Sequence, residues 1–265
     1  MRNLQFTLWL ACLAAAQEPA SPPTVPQLPS NSGQPVAVPF HCSEEDISWA
    51  GMVCSAKEPC PVYLEISAVE AAGDRIFAAG NIHSSAVTLY SVLLSSEDDG
   101  HTWREAHERI RGAALDHLQF VGTQNGWVGG QSLSPLVQDP FLLITTDAGK
   151  SWRQQAIFGE TRVGSILEFY FSDQSEGSLL FDRGPGAEGD RYEVYESHDG
   201  GASWTIKEES AKLPRLKGAP PPPGWRVSAD GPTRSFLIER RSGDRWNKVA
   251  TLAVGLGDCK PAEPE

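Results

Sequence analysis

Short runs of apolar residues alternate with turn-forming residues along most of the chain, and this pattern predicts β-strands. Runs of about four to eight residues that are rich in branched and aromatic side chains and bounded by Gly, Asp or Ser are typical of strands. The first runs lie at 62–69, 115–121 and 166–171, the second at 75–80, 126–130 and 178–181, and the third at 87–94, 141–145 and 191–196. The pattern therefore predicts three sheets built in the same order.

A turn motif follows each third run, and its spacing defines a repeat. The sequences are SEDDGHTW at 96–103, TTDAGKSW at 145–152 and SHDGGASW at 197–204, all of the form Ser/Thr-x-Asp-x-Gly-x-Ser/Thr-Trp. The tryptophans at 103, 152 and 204 recur at intervals of 49 and 52 residues. A period of about 50 residues is the length of one four-stranded propeller blade.

Each residue type in the motif has a structural task. Asp accepts backbone N–H groups, Gly adopts positive φ, the hydroxyl caps the turn, and Trp starts the next strand with a large buried face. A calcium site on the acidic run 97–99 is the alternative to this structural interpretation. The motif positions are Ser96, Asp98, Gly100 and Trp103, then Thr145, Asp147, Gly149 and Trp152, then Ser197, Asp199, Gly201 and Trp204.

The repeat predicts an all-β fold, a small β-propeller of about four four-stranded blades. A weaker fourth copy of the motif ends at Trp246, where Gly243 keeps its place and Arg241 replaces the Asp. Residues 40–60 either add a strand to the closing blade or begin a partial fifth. The blades are expected near 61–110, 112–160, 163–210 and 224–257, within a propeller domain at 40–259.

The motif resembles the Asp-box, or BNR, repeat of sialidase-like β-propellers. The fuller pattern around 120–121, 126–130 and 145–152 resembles the propellers of the photosystem II assembly-factor type, and the resemblance covers roughly residues 61–250. It implies that the Asp residues of the motif are structural, because in these families the box lies on blade edges away from the active face. It implies a fold and not a function, because hydrolases, receptors and assembly factors share the repeat.

The N-terminus predicts export. Residues 1–16 combine Arg2, an apolar stretch and an Ala-Ala-Ala cleavage pattern, as in a secretory signal peptide. Residues 17–39 contain seven prolines and predict an extended linker, and residues 260–265 form a short tail. A lipoprotein signal at Cys12 is an alternative, although Trp9 stands where that motif prefers Leu. We therefore expect a periplasmic or secreted protein with no membrane span.

Removal of the signal peptide leaves four cysteines, an even number that favours disulfides in an exported chain. We predict a local Cys54–Cys60 bridge and a Cys42–Cys259 bridge that closes the ends of the folded region, while the other two pairings stay open. A metal site that uses His41 with three of the cysteines is the rival interpretation, although no paired CxxC spacing is present. The sequence predicts no metal and no cofactor.

Charge excludes one class of partner. With 22 Lys and Arg against 34 Asp and Glu, the net charge is −12, whereas nonspecific binding to nucleic acid or anionic lipid needs a basic surface. Only 2 Met beside 25 Gly and 20 Pro also fit a turn-rich β protein. A protein or a glycan outside the cytoplasm is the expected partner, and the sequence does not specify an oligomeric state.

The sequence does not predict an enzyme. The sialidase resemblance would imply a Phe/Tyr-Arg-Ile-Pro motif before the first blade. It would also imply three arginines that bind a carboxylate, an Asp that acts as the catalytic acid, and a Tyr–Glu pair. That motif is absent, and the Tyr/Glu neighbourhood at Tyr192, Glu193 and Tyr195 also fits simple strand alternation. The chain also lacks a Gly-x-Ser-x-Gly elbow, a His-Glu-x-x-His motif and a P-loop.

Two sets of charged residues are candidates for binding. Acids follow a Leu in each first strand, and the innermost strands of a propeller line its axis, so we expect a ring of Glu65, Asp116 and Glu168 with Arg226 as a fourth member. The alternative is that these acids are solvated or paired with nearby Arg. Arg109 and Arg111 lie on a loop between the first two blades, where a solvated turn is the alternative.

We therefore expect a non-catalytic exported propeller that serves as a protein- or glycan-binding or assembly scaffold. The alternative is a glycan-acting hydrolase of sialidase-like fold, with a degenerate carboxylate pair drawn from Glu65, Asp116 and Glu168. Convergence of two of these carboxylates in an open pocket would favour the hydrolase.

Overall fold

The computed structural model describes residues 34–133, 136–216 and 224–261. In these ranges the chain forms one short helix, α1 (Glu44–Trp49), and sixteen strands whose ladders are all antiparallel. The strands form four sheets that follow one another as the blades of a small propeller, so the predicted all-β fold class is confirmed.

The first three sheets contain the three predicted repeats. Sheet 1 has β1 (Cys60–Ala72), β2 (Arg75–Ser84), β3 (Thr88–Ser96) and β4 (Arg104–Glu105). Sheet 2 has β5 (Ala113–Val121), β6 (Asn125–Ser132), β7 (Gln138–Thr145) and β8 (Arg153–Ala156). Sheet 3 has β9 (Ser165–Phe171), β10 (Gly177–Asp182), β11 (Tyr192–Ser197) and β12 (Thr205–Ser210).

The last sheet is smaller. Sheet 4 has β13 (Trp225–Asp230), β14 (Ser235–Ser242) and β15 (Arg245–Ala253), and the final strand, β16 (Gly255–Cys259), leaves it to pair with β1 of sheet 1. Val36 extends sheet 4 at its outer edge, because its N–H donates to Thr251 O at 2.8 Å and its carbonyl accepts from Ala253 N–H at 2.8 Å. Residues 40–60 therefore do not supply the extra strand that the sequence suggested; they contain α1 and a disulfide loop.

Apolar clusters hold neighbouring sheets together. Sheet 4 packs on sheet 1, sheet 1 on sheet 2, and sheet 2 on sheet 3. Removal of this apolar surface from water is the main favourable contribution to folding. The buried members include Leu64, Val92, Ile238 and Leu252 between sheets 4 and 1, Ala79, Leu93, Leu115 and Val128 between sheets 1 and 2, and Trp127, Leu142, Phe171 and Phe181 between sheets 2 and 3.

The repeated turns (96–103, 145–152 and 197–204) lie against the preceding sheet. A β-carbon on Gly149 would lie 2.2 Å from the Phe77 ring of sheet 1, so only glycine fits there. Polar contacts cross the same boundary: Arg75 Nη1 donates to Ala148 O at 2.9 Å, and Trp127 Nε1 donates to Gly200 O at 2.8 Å. Each turn is thus both the end of one hairpin and a contact surface between blades.

The row of sheets is open between sheets 3 and 4. Within the described ranges, their strands share no packing comparable to that of the other neighbours. The degenerate fourth copy of the motif lies in the hairpin between β14 and β15, and Arg240 beside it bonds to Asp99 of the first repeated turn. Without the Asp that organises the repeated turn, Gly243 and Asp244 form a two-residue hairpin loop instead.

Both predicted disulfides are confirmed. Cys42 bonds to Cys259 across a sequence separation of 217, and Cys54 bonds to Cys60 across a separation of 6. The first bridge fixes the segment before α1 to β16. The second closes a loop at the start of β1, where Cys60 also pairs with Cys259 in the sheet register.

Much of the predicted export region lies outside the described residues. The signal peptide at 1–16 and the lipoprotein alternative at Cys12 fall there, as do most of the linker at 17–39 and the end of the tail at 260–265. The described end of the linker is packed, since Val36 and Val38 are buried. No described helix has the length and apolar character that a membrane span requires.

The Gly149 contact predicts a large loss of stability for Gly149→Ala. Gly149 has φ 72° and its β-carbon position is filled by Phe77, whereas Gly122 has φ 65° with no atom within 4 Å of its β-carbon position. We expect Gly122→Ala to lower the free energy of unfolding by about 1 kcal/mol, and Gly149→Ala by about 1–3 kcal/mol more. Urea titration of both variants measures the difference; equal losses would mean that the turn is not tightly packed.

The two disulfides predict unequal losses of stability. By chain entropy alone, replacing both cysteines of the 42–259 bridge with serine costs about 5 kcal/mol, and replacing both cysteines of the 54–60 bridge costs about 2 kcal/mol, because a longer loop restricts the unfolded chain more. Guanidinium unfolding midpoints of the two double variants test this order. A larger loss for the 54–60 variant would contradict it.

Candidate functional site

The Asp side chains of the repeated turns form hydrogen bonds within the turns themselves. In the second copy, Ser151 Oγ and Thr145 Oγ1 donate to the Asp147 carboxylate at 2.6 and 2.8 Å, and Gly149 N–H donates to Thr145 Oγ1 at 2.9 Å. The hydrogen bond from the Ser151 hydroxyl is the main reason that the pKa of Asp147 falls to about 2. The other two copies have the same bonds around Asp98 and Asp199. These side chains therefore act in the fold.

The acidic run at 97–99 has partners of its own. Glu97 forms ion pairs with Arg75 and Arg104, and Asp99 Oδ1 lies 3.2 Å from Arg240 Nη1 of sheet 4. Among the described residues, no group of three His, Cys, Asp or Glu side chains is arranged to hold a metal ion. Glu97 and Asp99 thus form ion pairs that join neighbouring β-strands and join sheet 4 to sheet 1.

The three acids of the expected ring do not occupy equivalent positions. Each first strand is interrupted by a bulge against the second strand, and the unpaired residues are Ser67, Asp116 and Leu167. Asp116 is therefore the bulge residue of its own strand. Glu65 lies two residues before the bulge at Ser67, and Glu168 lies one residue after the bulge at Leu167. A bulge turns a side chain out of the regular alternation, so spacing from the Trp alone does not align the acids.

The structure brings two of the ring candidates together. Glu65 and Asp116 line one open cleft of about 390 Å³ between sheets 1 and 2. Asn81 Nδ2 donates to Glu65 Oε2 at 3.2 Å, and Gln131 Nε2 donates to Asp116 Oδ2 at 3.0 Å. Burial is the main cause of a raised pKa at Asp116; His117 opposes it, and the negative charge of Glu65 adds a smaller increase.

The other two ring candidates lie elsewhere. Glu168 is exposed on sheet 3, and neither it nor Arg226 lines the cleft. Arg226 Nε donates to Glu239 Oε2 at 2.7 Å, and its guanidinium lies 4.5 Å from the centre of the Trp246 ring. Arg226 is thus bound within sheet 4.

The two loop arginines hold the N-terminal segment on the sheets. Arg109 Nη2 donates to Pro39 O at 2.7 Å, and Arg111 Nη1 donates to Glu45 Oε1 of α1 at 2.6 Å. Tyr90 also hydrogen-bonds to Asp46, the buried acid of the helix. The loop is neither a solvated turn nor an unoccupied recognition loop; α1 lies on it.

A buried ion pair in sheet 3 was not predicted as such. Glu193 is 1 % exposed and accepts hydrogen bonds from Arg162 Nη2 at 2.6 and 2.7 Å and from Tyr195 Oη at 2.6 Å. Burial and the adjacent Glu193 raise the pKa of Tyr195. Alternation placed Glu193 and Tyr195 on one face, but nothing in the sequence indicated that Arg162, 31 residues away, would bind them.

The cleft opens at the end of the sheets opposite the repeated turns, which we call the loop face and define by residues 84–88, 136–138 and 157–164. Consecutive antiparallel strands place these connections at one end and the repeated turns at the other. Leu136, Val137 and Val163 are 57, 40 and 52 % exposed on it. Gly164 N–H donates to Val137 O at 2.9 Å, which holds the two apolar segments side by side.

Comparison with known proteins gives fold-level likenesses. No protein-family profile matches the chain, and no curated protein matches it closely. It is similar to YCF48 from Cyanidioschyzon merolae, with 18 % identity over 72 % of this chain and 56 % of that one, at a TM-score of 0.37. It is also similar to the GH74 xyloglucanase from Xanthomonas campestris, with 13 % identity over 72 % of this chain and 28 % of that one, at a TM-score of 0.35. The chain thus spans about half of the first structure and under a third of the second.

The raised pKa of Asp116 predicts a pH-dependent effect of Asp116→Asn. A folded-state pKa above the ordinary value of 3.8 means that the native state loses stability as the pH rises through that window. Asn keeps the acceptor for Gln131 but not the charge, so we expect the stability of the variant relative to the wild type to be greater at about pH 7 than at about pH 3.

Urea unfolding at the two pH values measures this change, with Glu168→Gln, outside the cleft, as the matched control. A difference between Asp116→Asn and the wild type that is the same at both pH values would contradict the prediction.

Proposed function

We propose that the protein is a non-catalytic, exported propeller of the Asp-box type that binds a protein or glycan partner at its loop face. One observation carries the proposal: the polar cleft between sheets 1 and 2 and the exposed side chains of Leu136, Val137 and Val163 lie at the same end of the molecule. An exposed aliphatic patch beside a polar cleft is typical of an interaction surface. The two disulfides support a location outside the cytoplasm, where thiols are oxidised.

The chemistry of the cleft suits a hydrogen-bonding or cationic group. Asn81 and Gln131 fix the carboxylates of Glu65 and Asp116, so a ligand meets acceptors that are already oriented. The lining also includes His83 and Thr88. A lysine or arginine side chain or the hydroxyls of a glycan would find partners there, and the adjacent aliphatic patch favours a protein.

Other polar clusters of the described chain support a scaffold over an enzyme. The Asp residues of the repeated turns are closed by internal hydrogen bonds. Glu193 and Tyr195 are buried and bound to Arg162, whose Nη2 donates to both carboxylate oxygens of Glu193, so a substrate would have to break this ion pair to reach either of them. Breaking such a buried pair is costly, and we therefore assign the cluster to stability.

The second candidate is a glycan hydrolase that uses the cleft. The favouring observation is that Glu65 and Asp116 share it, and that burial raises the pKa of Asp116. Glycosidases use two carboxyl groups that face one site, one of them with a raised pKa, as their acid and their nucleophile or base.

Affinity capture from the envelope or secreted fraction, beside a glycan array, tests the scaffold. We expect Val163→Thr to weaken partner binding about tenfold or more, because it places a hydroxyl in an apolar contact. Ile206→Thr is the matched control, since Ile206 is 48 % exposed on β12, outside the loop face. Absence of any reproducible partner in both assays, or equal losses for the two variants, would contradict the proposal.

Release of reducing sugar from envelope and plant-type glycans tests the hydrolase. An activity that Glu65→Gln and Asp116→Asn both abolish, with folding intact, would replace the scaffold by the second candidate. No activity in the wild type, together with a partner captured at the loop face, would remove the hydrolase.

A further inference from the structure

The outer face of sheet 3 differs from those of sheets 1 and 2 in the residue that meets the next blade. In each of these sheets, the first Ser or Thr of the repeated turn pairs with a residue of the second strand. The residue that follows this partner is Phe77 in sheet 1, Trp127 in sheet 2 and Ser178 in sheet 3. Phe77 and Trp127 contact the turn of the following sheet. Ser178 has no such turn beside it, because sheets 3 and 4 do not pack on each other within the described ranges.

An acidic cleft of about 320 Å³ occupies the place where another blade would lie. Its charged residues are Glu176, Glu196 and His198, with His198 Nδ1 at 2.7 Å from Glu176 Oε2 and Lys207 bound to Glu196. Glu208 and Glu209 follow on the outer strand and are exposed. The complete lining is Tyr170, Ser172, Glu176, Gly177, Ser178, Glu196 and His198.

The opposite end of the row carries a basic hairpin. Its exposed tip between β14 and β15 has the sequence RRSGDR at 240–245, with three arginines and one aspartate, and Lys248 follows. Arg240 reaches back to Asp99 of sheet 1, whereas no atom lies within 4 Å of a β-carbon on Gly243. The tip therefore projects from the sheet and can enter a cleft.

These two ends complement each other in charge, and they belong to the same chain at opposite ends of the order 4–1–2–3. We propose that two copies of this chain associate reciprocally, with the basic hairpin of each copy in the acidic cleft of the other. A two-fold axis allows both contacts at once, so the pair is closed and leaves neither end unfilled. The contact is separate from the loop face and does not depend on the proposed function.

Charge favours a second copy as the occupant. The chain as a whole carries −12, so association at random orientations is repulsive, whereas the basic hairpin presents a concentrated positive surface to an acidic cleft. Opposite charges at a rim also make the contact sensitive to salt. The pair should therefore weaken as the ionic strength rises.

Sedimentation velocity of the full chain at low salt, over a range of concentrations, tests the proposal. We expect a two-copy species in the wild type. We expect Glu176→Lys with Glu196→Lys in the cleft, and separately Arg241→Glu with Arg245→Glu in the hairpin, to weaken association by about 30-fold or more through like-charge repulsion.

Mixing the two reversed variants distinguishes a lost contact from a lost fold. Each variant alone opposes like charges, but in the mixed pair both contacts join opposite charges, so association should return only on mixing. Lys150→Glu with Arg153→Glu, at two exposed cations of sheet 2 and its turn, reverses the same number of charges as the hairpin variant. This control should leave the pair intact, as should Val163→Thr on the loop face. A monomeric wild type at all concentrations, variants that still associate alone, a mixture that stays monomeric, or species longer than two copies would overturn the proposal.

Discussion

In the first two repeated turns a glycine lies so close to the preceding sheet that a β-carbon would overlap it, and this close approach sets the distance between blades. Gly149 meets the Phe77 ring, and Gly100 meets Val249 of sheet 4. Because the turn is held rigid by its own Ser, Thr and Asp hydrogen bonds, it acts as a fixed spacer. The apolar clusters between sheets can then fill with aliphatic and aromatic side chains at interior density.

The same constraint explains why, among the described residues, sheets 3 and 4 do not pack on each other. For one blade to pack on the sheet before it, that sheet must present an apolar side chain and the blade must present a repeated turn that contacts this side chain. Sheet 3 carries Ser178 in place of an aromatic ring, and sheet 4 has a tight hairpin at Gly243 in place of the Asp-containing turn. Loss of both partners leaves two unlike ends, one acidic and one basic, which is why the open end is the most distinctive surface of the molecule.

The sequence predicted the parts of the structure that depend on local patterning. Strand order in sheets 1 to 3, the repeated turns and the two disulfides follow from alternation, turn chemistry and cysteine count. The fourth copy is degenerate: a Gly three residues before a Trp also suits a two-residue hairpin, and Arg241 replaces the Asp that distinguishes the two turns. The acidic positions on the first strands failed to align because bulges at Ser67, Asp116 and Leu167 shift the alternation locally. Contacts such as Arg162 with Glu193 join distant segments and have no local signal.

The pairing of β16 with β1 has a consequence for how the chain acquires its structure. The first strand of sheet 1 receives its inner neighbour from the last described strand, and Cys42 bonds to Cys259 across nearly the whole fold. Contacts of such long sequence separation form late, since the loop between them must close first. An N-terminal portion of the chain emerging alone lacks the edge that completes its first sheet. Such a chain stays incompletely folded until its C-terminal strand arrives.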